Sequence, residues 1–324
     1  MTSGTQSVCP LCSGSVVYLA KKRGWNLWHC QACDHYAVLP TPAGVELRQI
    51  YSRETGYGSG RESKLSDTCP ADAQRLIGML STIHIPSTTL LDVGCGDGRL
   101  IYHLRERGWL VAGNDYSPTY VAKCSQHGLN VHMGDLKETD ITLGMWGVVH
   151  LGDVVEHVPD PMAFLRMIYK YLMPGGVVVV RTPNAASTFS RLSATLAHVS
   201  GTEWLASEAP MHINDFTPKS LKFALSRCGY QLIRQSTEGR RPFAYSVGAS
   251  GYLDAEKRWL RGLRGLNRVR ALAAMTPKLL PVALWTGIPY LLSILMKAGD
   301  RHGDFIVAFA RKPTTTVVEV AGND

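Results

Sequence analysis

A chain of 324 residues with 45% hydrophobic and 19% charged residues is long enough for one large domain or two, and too apolar to be a disordered segment. Its formal net charge of +8 points to an anionic partner such as nucleic acid, a phosphorylated metabolite or a membrane surface. Residues 240–301 alone carry eleven Lys/Arg against three acids (Asp254, Glu256, Asp300), so the rest of the chain is near neutral, which weakens any global nucleic-acid reading.

The opening MTSGTQSVCPLC has no basic-then-apolar leader. Single thiols at Cys69, Cys95, Cys124 and Cys228 suit a reducing, cytoplasmic compartment. Cys9, Cys12, Cys30 and Cys33 form C-x2-C-x17-C-x2-C, the spacing of a four-cysteine zinc site. Each pair lets two thiolates converge on one tetrahedral ion, and four thiolates close the site, so the Zn2+ is structural. SVVYLA and WNLWHC between the pairs read as short strands, which predicts a zinc ribbon over residues 1–40. His29 and His35 are surplus to the ligand set and read as surface residues.

Residues 41–88 read as a linker with N-terminal helices. LPTPAGVELRQIYS starts like a short helix, ETGYGSGRES is a Gly/Ser-rich loop, and CPADAQRLIGMLSTI is an amphipathic helix. From residue 89 strand and helix alternate. TLLDVG, WLVAGND, NVHMGD, MWGVVHLGD and VVVVRTPN are strands. DGRLIYHLRERG, SPTYVAKCSQHG and DPMAFLRMIYKYLMPGG are helices, the last stopping at Pro-Gly-Gly. Continuous apolar strands between helices predict an α/β fold whose parallel sheet is covered on both faces. Ligands of such sheets bind at the carboxyl ends of the strands.

The first strand ends in Asp92-Val-Gly94-Cys-Gly96-Asp-Gly98. These glycines permit a tight turn and close backbone approach. The second strand ends in Asp115, seventeen residues past Gly98, and the third in Asp135. An acid at the second position can hold ribose hydroxyls; one at the third can accept from an adenine amino group. A pocket lined by acids suits a cationic ligand and is a poor site for pyrophosphate.

LLDVGCGDG, the acid of VAGNDYS, the acid of HMGDL, VVEHVPDP and LMPGGVVVVRTPN, in that order, resemble a class I S-adenosylmethionine-dependent methyltransferase. The resemblance covers about residues 70–239, and GDFIVAFARK (303–312) is similar to that family's final antiparallel strand. It implies a Rossmann-like seven-stranded sheet over 89–239 with its last strand at 303–312. It also implies S-adenosyl-L-methionine as cofactor. Gly94, Gly96 and Gly98 would then contact its methionine part, Asp115 the ribose and Asp135 the adenine, with Tyr116, Leu136 and Leu151 flanking. Asp92 either orders the loop or reaches the amino group.

GDVVEHVPD places Asp153, Glu156 and His157 at i, i+3 and i+4, one face of a helix if the chain is helical there. Downstream, His212 precedes FTPKSL, where Thr217 and Pro218 read as the N-cap and first residue of a helix. Asp153, Glu156, His157 and His212 together resemble the acid-x-x-Glu-His set of ubiquinone-biosynthesis and small-RNA O-methyltransferases; in the latter it binds Mg2+. Three readings stay open: a Mg2+ site, a general base at His157 or His212, and an architectural role. His127, His132 and His150 read as ordinary helix or strand histidines.

The bare fold needs only a short link before its last strand, yet residues 240–302 intervene. Their first half is basic and their second, LLPVALWTGIPYLLSILM (279–296), has no charge. Eighteen residues are borderline for a membrane span, and Pro281, Gly287 and Pro289 interrupt them. A helical lid over a lipid-like substrate or on a bilayer surface fits better, with a homodimer interface as the competing reading; 313–324 is a tail.

These features favour a methyltransferase acting on a small-molecule or lipid-linked acceptor: a sugar, polysaccharide precursor or quinone-like hydroxyl, with peripheral membrane contact through the lid. An RNA methyltransferase gripping RNA with its ribbon is less favoured, because the ribbon lacks a basic stripe. A sugar C-methyltransferase and a non-catalytic cofactor-fold module are further alternatives.

Overall fold

The computed structural model describes residues 8–42, 71–204, 206–238 and 303–314. The predicted helix after residue 39, the Gly/Ser-rich loop and the lid at 240–302 lie outside these residues or nearly so. Among the described residues no helix is long and apolar enough to cross a membrane. The chain divides into two compact units. Of the described residues, one draws on 8–42, 183–204, 206–219, 236–238 and 303–306; the other on 71–182, 220–235 and 307–314. The division expected from the linear order is therefore redrawn: residues 183–219, assigned to the central domain, join the ribbon.

The larger unit is built on a seven-stranded sheet. Its elements are α1 (Ala71–Leu80), β4 (Thr89–Val93), α2 (Arg99–Arg105), β5 (Leu110–Asp115), α3 (Pro118–Gln126), β6 (Val131–Met133), β7 (Trp146–Gly152), α4 (Pro161–Tyr171), β8 (Leu172–Pro183), α6 (Pro218–Arg227), β10 (Gln231–Glu238) and β11 (Phe305–Arg311). The spatial order is β10-β11-β8-β7-β4-β5-β6. Chain order runs outward from β4 through β5 to β6, then returns to β7 on the other side of β4. The switch point lies between β4 and β7, where α/β sheets open their ligand crevice.

The strands pair in parallel, with Leu90 opposite Val111 and Val148, and Val148 opposite Val177. Val177, Val178, Val179 and Val180 are each at most 1% exposed. Consecutive residues point to opposite faces, so burial of all four means both faces are covered. Each such side chain contributes roughly 1.5–3 kcal/mol of burial free energy. β11 runs antiparallel to β8: Lys312 exchanges backbone bonds with Gly175 and Gly176, whereas Asn184 bonds Asp304.

Helix α4 is correctly anticipated in place but not in length. It ends at Tyr171, and Leu172 to Pro174 already belong to β8. The strand absorbs Pro-Gly-Gly because Gly175 takes a positive φ of 79°, and Trp146 pairs with Leu172.

The ribbon unit holds β1 (Val17–Lys22), β2 (Trp25–Cys30), β3 (His35–Val38), α5 (Thr188–Ser200) and β9 (Asn214–Asp215), its sheet ordered β1-β2-β3-β9. Arg23 and Gly24 close the β1–β2 hairpin with φ of 48° and 86°, the handedness a two-residue turn needs. β9 was not anticipated. It pairs Asn214 with Ala37 and Asp215 with Tyr36, and Val38 N–H donates to Ile213 O at 2.9 Å. Trp204 and Phe216 are fully buried, so residues 183–219 provide the core that the short ribbon lacks. His35, expected at the surface, is 1% exposed. Its ring meets Phe216 at 4.8 Å and its Nε2 lies 3.0 Å from Asn214 Oδ1; the pairing of β3 with β9 is what buries it.

Candidate active site

Strand β4 ends at Val93 and releases the chain into the glycine loop. Gly94 N and Cys95 N donate to Asn114 O at 2.9 and 3.0 Å, which fixes the loop against the end of β5. Gly96 has φ 55° and nothing within 4 Å of where a Cβ would stand, so its backbone is open to a ligand. Gly98 has φ 78° and begins α2; a Cβ there would come within 2.7 Å of Cys124 Sγ and 2.8 Å of Leu129 Cδ1. The loop thus needs glycine for close packing below and for access above.

Asp115, the last residue of β5, accepts from Gly96 N at 2.9 Å and Ser117 N at 2.8 Å. Burial raises its pKa, against the pull of these backbone donors. Its carboxylate oxygens retain lone pairs for further donors. Asp135 caps the turn Leu136–Glu138 through Lys137 N at 3.0 Å and is half-buried. Asp92 is 4% exposed. Three acids therefore do line the strand ends beside an open backbone loop, and that donor-poor, acceptor-rich set fits the adenosine and the cationic amino-acid end of S-adenosylmethionine. Tyr116 is 71% exposed, whereas the Leu136 and Leu151 side chains are 2% and 0% exposed; the two leucines can offer a ligand only main chain.

The segment after β7 is not the helix face that its spacing allowed. Asp153 is left-handed, with φ 56°, and only Val155–His157 form a 3₁₀ turn. A Cβ on Gly94 would come within 2.8 Å of Val154 Cγ2, so this turn borders the glycine loop. The end of β8 holds both acids. Arg181 O accepts from Asp153 N at 2.9 Å and the Arg181 guanidinium pairs with the Asp153 carboxylate. Thr182 Oγ1 donates to Glu156 Oε2 at 3.0 Å. Glu156 is 1% exposed, and its Oε1 is buried with no hydrogen-bond partner. Burial, and secondarily the Asp153 charge, push its pKa well up. His157 is half-buried.

Of the four candidate cation ligands, Glu156 and His157 offer ligand atoms within 4.8 Å of each other, and Asp153 is not part of that group. Asp153, Glu156 and His157 belong to the sheet unit and His212 to the ribbon unit, where His212 Nε2 lies 3.6 Å from Glu208 Oε2. Within the sheet unit a divalent ion would compete with the Arg181 guanidinium for Asp153, and one Glu156 oxygen already accepts from the buried Thr182 hydroxyl. That is a poor fit to a hard cation, which seeks free carboxylate oxygens.

The cysteine set is assembled. Cys9 Sγ lies 3.5 Å from Cys33 Sγ and Cys12 Sγ 3.5 Å from Cys30 Sγ, and all four lie within 4.8 Å of one another. These separations are too long for disulfides. They bracket the ~3.8 Å between sulfurs that a tetrahedral ion with Zn–S of about 2.3 Å requires. A hydrogen bond from Cys33 lowers the Cys9 thiol to about 4 and raises that of Cys33. Thr217 Oγ1 donates to Asp34 O at 2.9 Å and Lys219 Nζ to Ala32 O at 2.8 Å, so the Cys30–Cys33 knuckle is tied directly to the segment that follows His212.

Sequence reasoning missed Arg181, Thr182 and His150. His150 Nδ1 lies 2.7 Å from Asp92 Oδ1. The signal was a register, since Asp92 and His150 are Cα partners across β4 and β7, and register between strands 58 residues apart leaves no local pattern.

The methyltransferase-domain family matches residues 64–235, slightly over half of the chain. A ubiquinone biosynthesis O-methyltransferase of Pseudomonas savastanoi pv. phaseolicola is 29% identical over 163 residues, 48% of this chain and 68% of that protein. A malonyl-acyl-carrier-protein O-methyltransferase of Serratia marcescens is 31% identical over 147 residues, 45% of this chain and 53% of that protein. The chain thus spans about two thirds of the first relative's length and about half of the second's. A solved structure of a SAM-dependent methyltransferase from Archaeoglobus fulgidus superposes with a TM-score of 0.43 at 16% identity, covering 74% of this chain and 93% of the other.

Proposed function

The chain belongs to the class I S-adenosylmethionine-dependent methyltransferases, and from that premise we propose that it methylates a hydroxyl of a small or lipid-linked acceptor, with His157 taking the hydroxyl proton. The observation that carries the reading is the 3₁₀ turn after β7. It buries Glu156 against Thr182 and leaves His157 half-buried, in a segment whose Val154 lies against Gly94 of the glycine loop. The two relatives above are O-methyltransferases by name, which supports oxygen as the nucleophile. His212 is the second candidate for the base.

Asp115 would hold the ribose, Asp135 the adenine, and the open Gly96 backbone the methionine part. Bound S-adenosylmethionine supplies a methyl carbon already activated on a sulfonium. The remaining work is alignment and deprotonation: ordered reactants are worth roughly 7–11 kcal/mol, and a well-placed base roughly 10²–10⁴-fold. His157 would accept the proton as the acceptor oxygen bonds to the methyl carbon and the carbon–sulfur bond breaks. The cysteine cluster is assigned to a structural Zn2+.

Transfer of radiolabelled methyl to lipid and quinol extracts, with an RNA fraction alongside, tests the acceptor class. Label in lipid or small-molecule fractions supports the reading; label confined to RNA overturns it. A His157→Ala variant that binds S-adenosylhomocysteine normally but transfers on the order of 10²-fold more slowly supports the base. Unchanged transfer in His157→Ala with loss in His212→Ala moves the role to His212.

A further inference from the structure

The Asp92–His150 pair has no part in the proposed transfer, and its geometry is more demanding than a strand histidine requires. The two residues are parallel register partners, so their side chains leave the same face of the sheet. Asp92 is 4% exposed, yet its side chain's only hydrogen bond among the described residues is the 2.7 Å contact from Oδ1 to His150 Nδ1. A carboxylate only accepts, so Nδ1 carries the hydrogen. The His150 ring lies against Gly152: a Cβ there would come within 2.7 Å of Cε1 and 3.2 Å of Nε2. An acid, a histidine and a glycine are thus matched, the glycine making room for the ring that orients the acid.

A buried carboxylate with a single partner is costly unless its second oxygen is also satisfied. Asp92 Oδ2 is not among the fully buried polar atoms that lack a partner, so the residue's small exposure reaches that oxygen. Gly94, where the glycine loop begins, follows two residues later in the chain. A carboxylate with one oxygen fixed and the other accessible is suited to an ammonium group, through a charge-assisted hydrogen bond.

We propose that His150 is a positioning residue for the cofactor: it fixes Asp92 so that Oδ2 takes the ammonium of the cofactor's amino-acid end. The inference rests on the cofactor assignment and is independent of the acceptor and of the base. The structural alternative is a buried pair that merely ties β4 to β7.

Calorimetry with two ligands separates them. S-adenosylhomocysteine carries the ammonium; 5′-methylthioadenosine keeps the adenosine and lacks the amino-acid end. His150→Leu is expected to weaken S-adenosylhomocysteine about tenfold, the value of one charge-assisted bond, and to leave 5′-methylthioadenosine within about twofold of wild type. His150→Asn, whose amide can replace Nδ1–H as donor, should restore most of the loss. His150→Gln places its amide nearer Nε2, keeps more of the ring's volume, and should show the same ligand-selective loss if the Leu variant fails to fold. Equal weakening of both ligands, or no change in either, overturns the proposal. Wild-type protein that binds neither ligand overturns the cofactor assignment instead.

Discussion

The sheet unit and the ribbon unit solve the problem of stability differently. In the sheet, Leu90, Leu91, Val148, Val177 and Val178 are fully buried, and each belongs to a continuous apolar layer, so the loss of one contact is shared. In the ribbon, half of β1 is exposed, with Val17 and Tyr18 at 46% and 44%. Beside a small apolar core of Leu27, Val38, Trp204 and Phe216, what concentrates there is a knot of four thiols and a few polar bonds to residues 198–219. A fold of the first kind degrades gradually. One of the second kind rests on a small core, the thiol knot and a few tethers.

Chelation should break the comparison most severely. Structural zinc contributes apparent binding free energy on the order of 10 kcal/mol in small cysteine sites. Removing it is expected to abolish hydrogen-exchange protection in β1–β3 and β9, with release of about one zinc per chain. Cofactor binding should persist, because Gly96, Asp115 and Asp135 all belong to the sheet unit. Ribbon amides that stay protected without metal would show that the thiols are not the source of its order.

Next in size is Leu91→Ala in β4. A fully buried leucine truncated in a packed core costs about 3 kcal/mol, read as a shifted urea midpoint with little change in slope. The loss should be confined to the sheet unit's transition.

Asp115→Asn is smaller and acts at the site. Replacing the charged acceptor proposed for the ribose hydroxyls should weaken S-adenosylhomocysteine by about 2 kcal/mol, roughly 30-fold. The same residue carries a pH signature. Burial raises its pKa above 3.8 in the ligand-free fold, so on raising the pH the unfolded chain releases this proton first. Its contribution therefore makes stability fall as pH rises from about 3.8 to the raised value, and the Asn variant should lack that fall. Cofactor affinity should strengthen over the same window as the carboxylate forms. Urea melts and calorimetry at a series of pH values check both.

The smallest effect is Thr217→Val. Its hydroxyl donates to Asp34 O at 2.9 Å, and removing a single such tether costs about 1 kcal/mol. Faster exchange in β3 and β9 with an unchanged sheet transition is the expected result.

Much of this was legible beforehand because it is written in local spacing. The cysteine pairs, the glycine loop and the acids at 115 and 135 lie where turn geometry and strand length put them, and the apolar runs announce a doubly covered sheet. The start of β8 was misread because Pro-Gly-Gly normally ends a helix, whereas here Gly175 carries the strand onward with φ 79°. GDVVEHVPD could be placed on one helix face only on condition that the chain is helical there, and i, i+3, i+4 spacing does not reveal that Asp153 takes a left-handed φ of 56°. His150 and His35 looked ordinary because nothing within ten residues of either names its partner.

By itself, then, the sequence determined the family, the order of the elements, the closed thiol set and the acids at the strand ends, since each follows from short-range periodicity and the stereochemistry of turns. Only the tertiary structure decided that Arg181 neutralises Asp153, that Asn214 and Asp215 complete the ribbon's sheet, and that His150 stands on Asp92. These pairings join segments 28, 179 and 58 residues apart. Strand register and burial against distant elements set them, and no local pattern of residues records either.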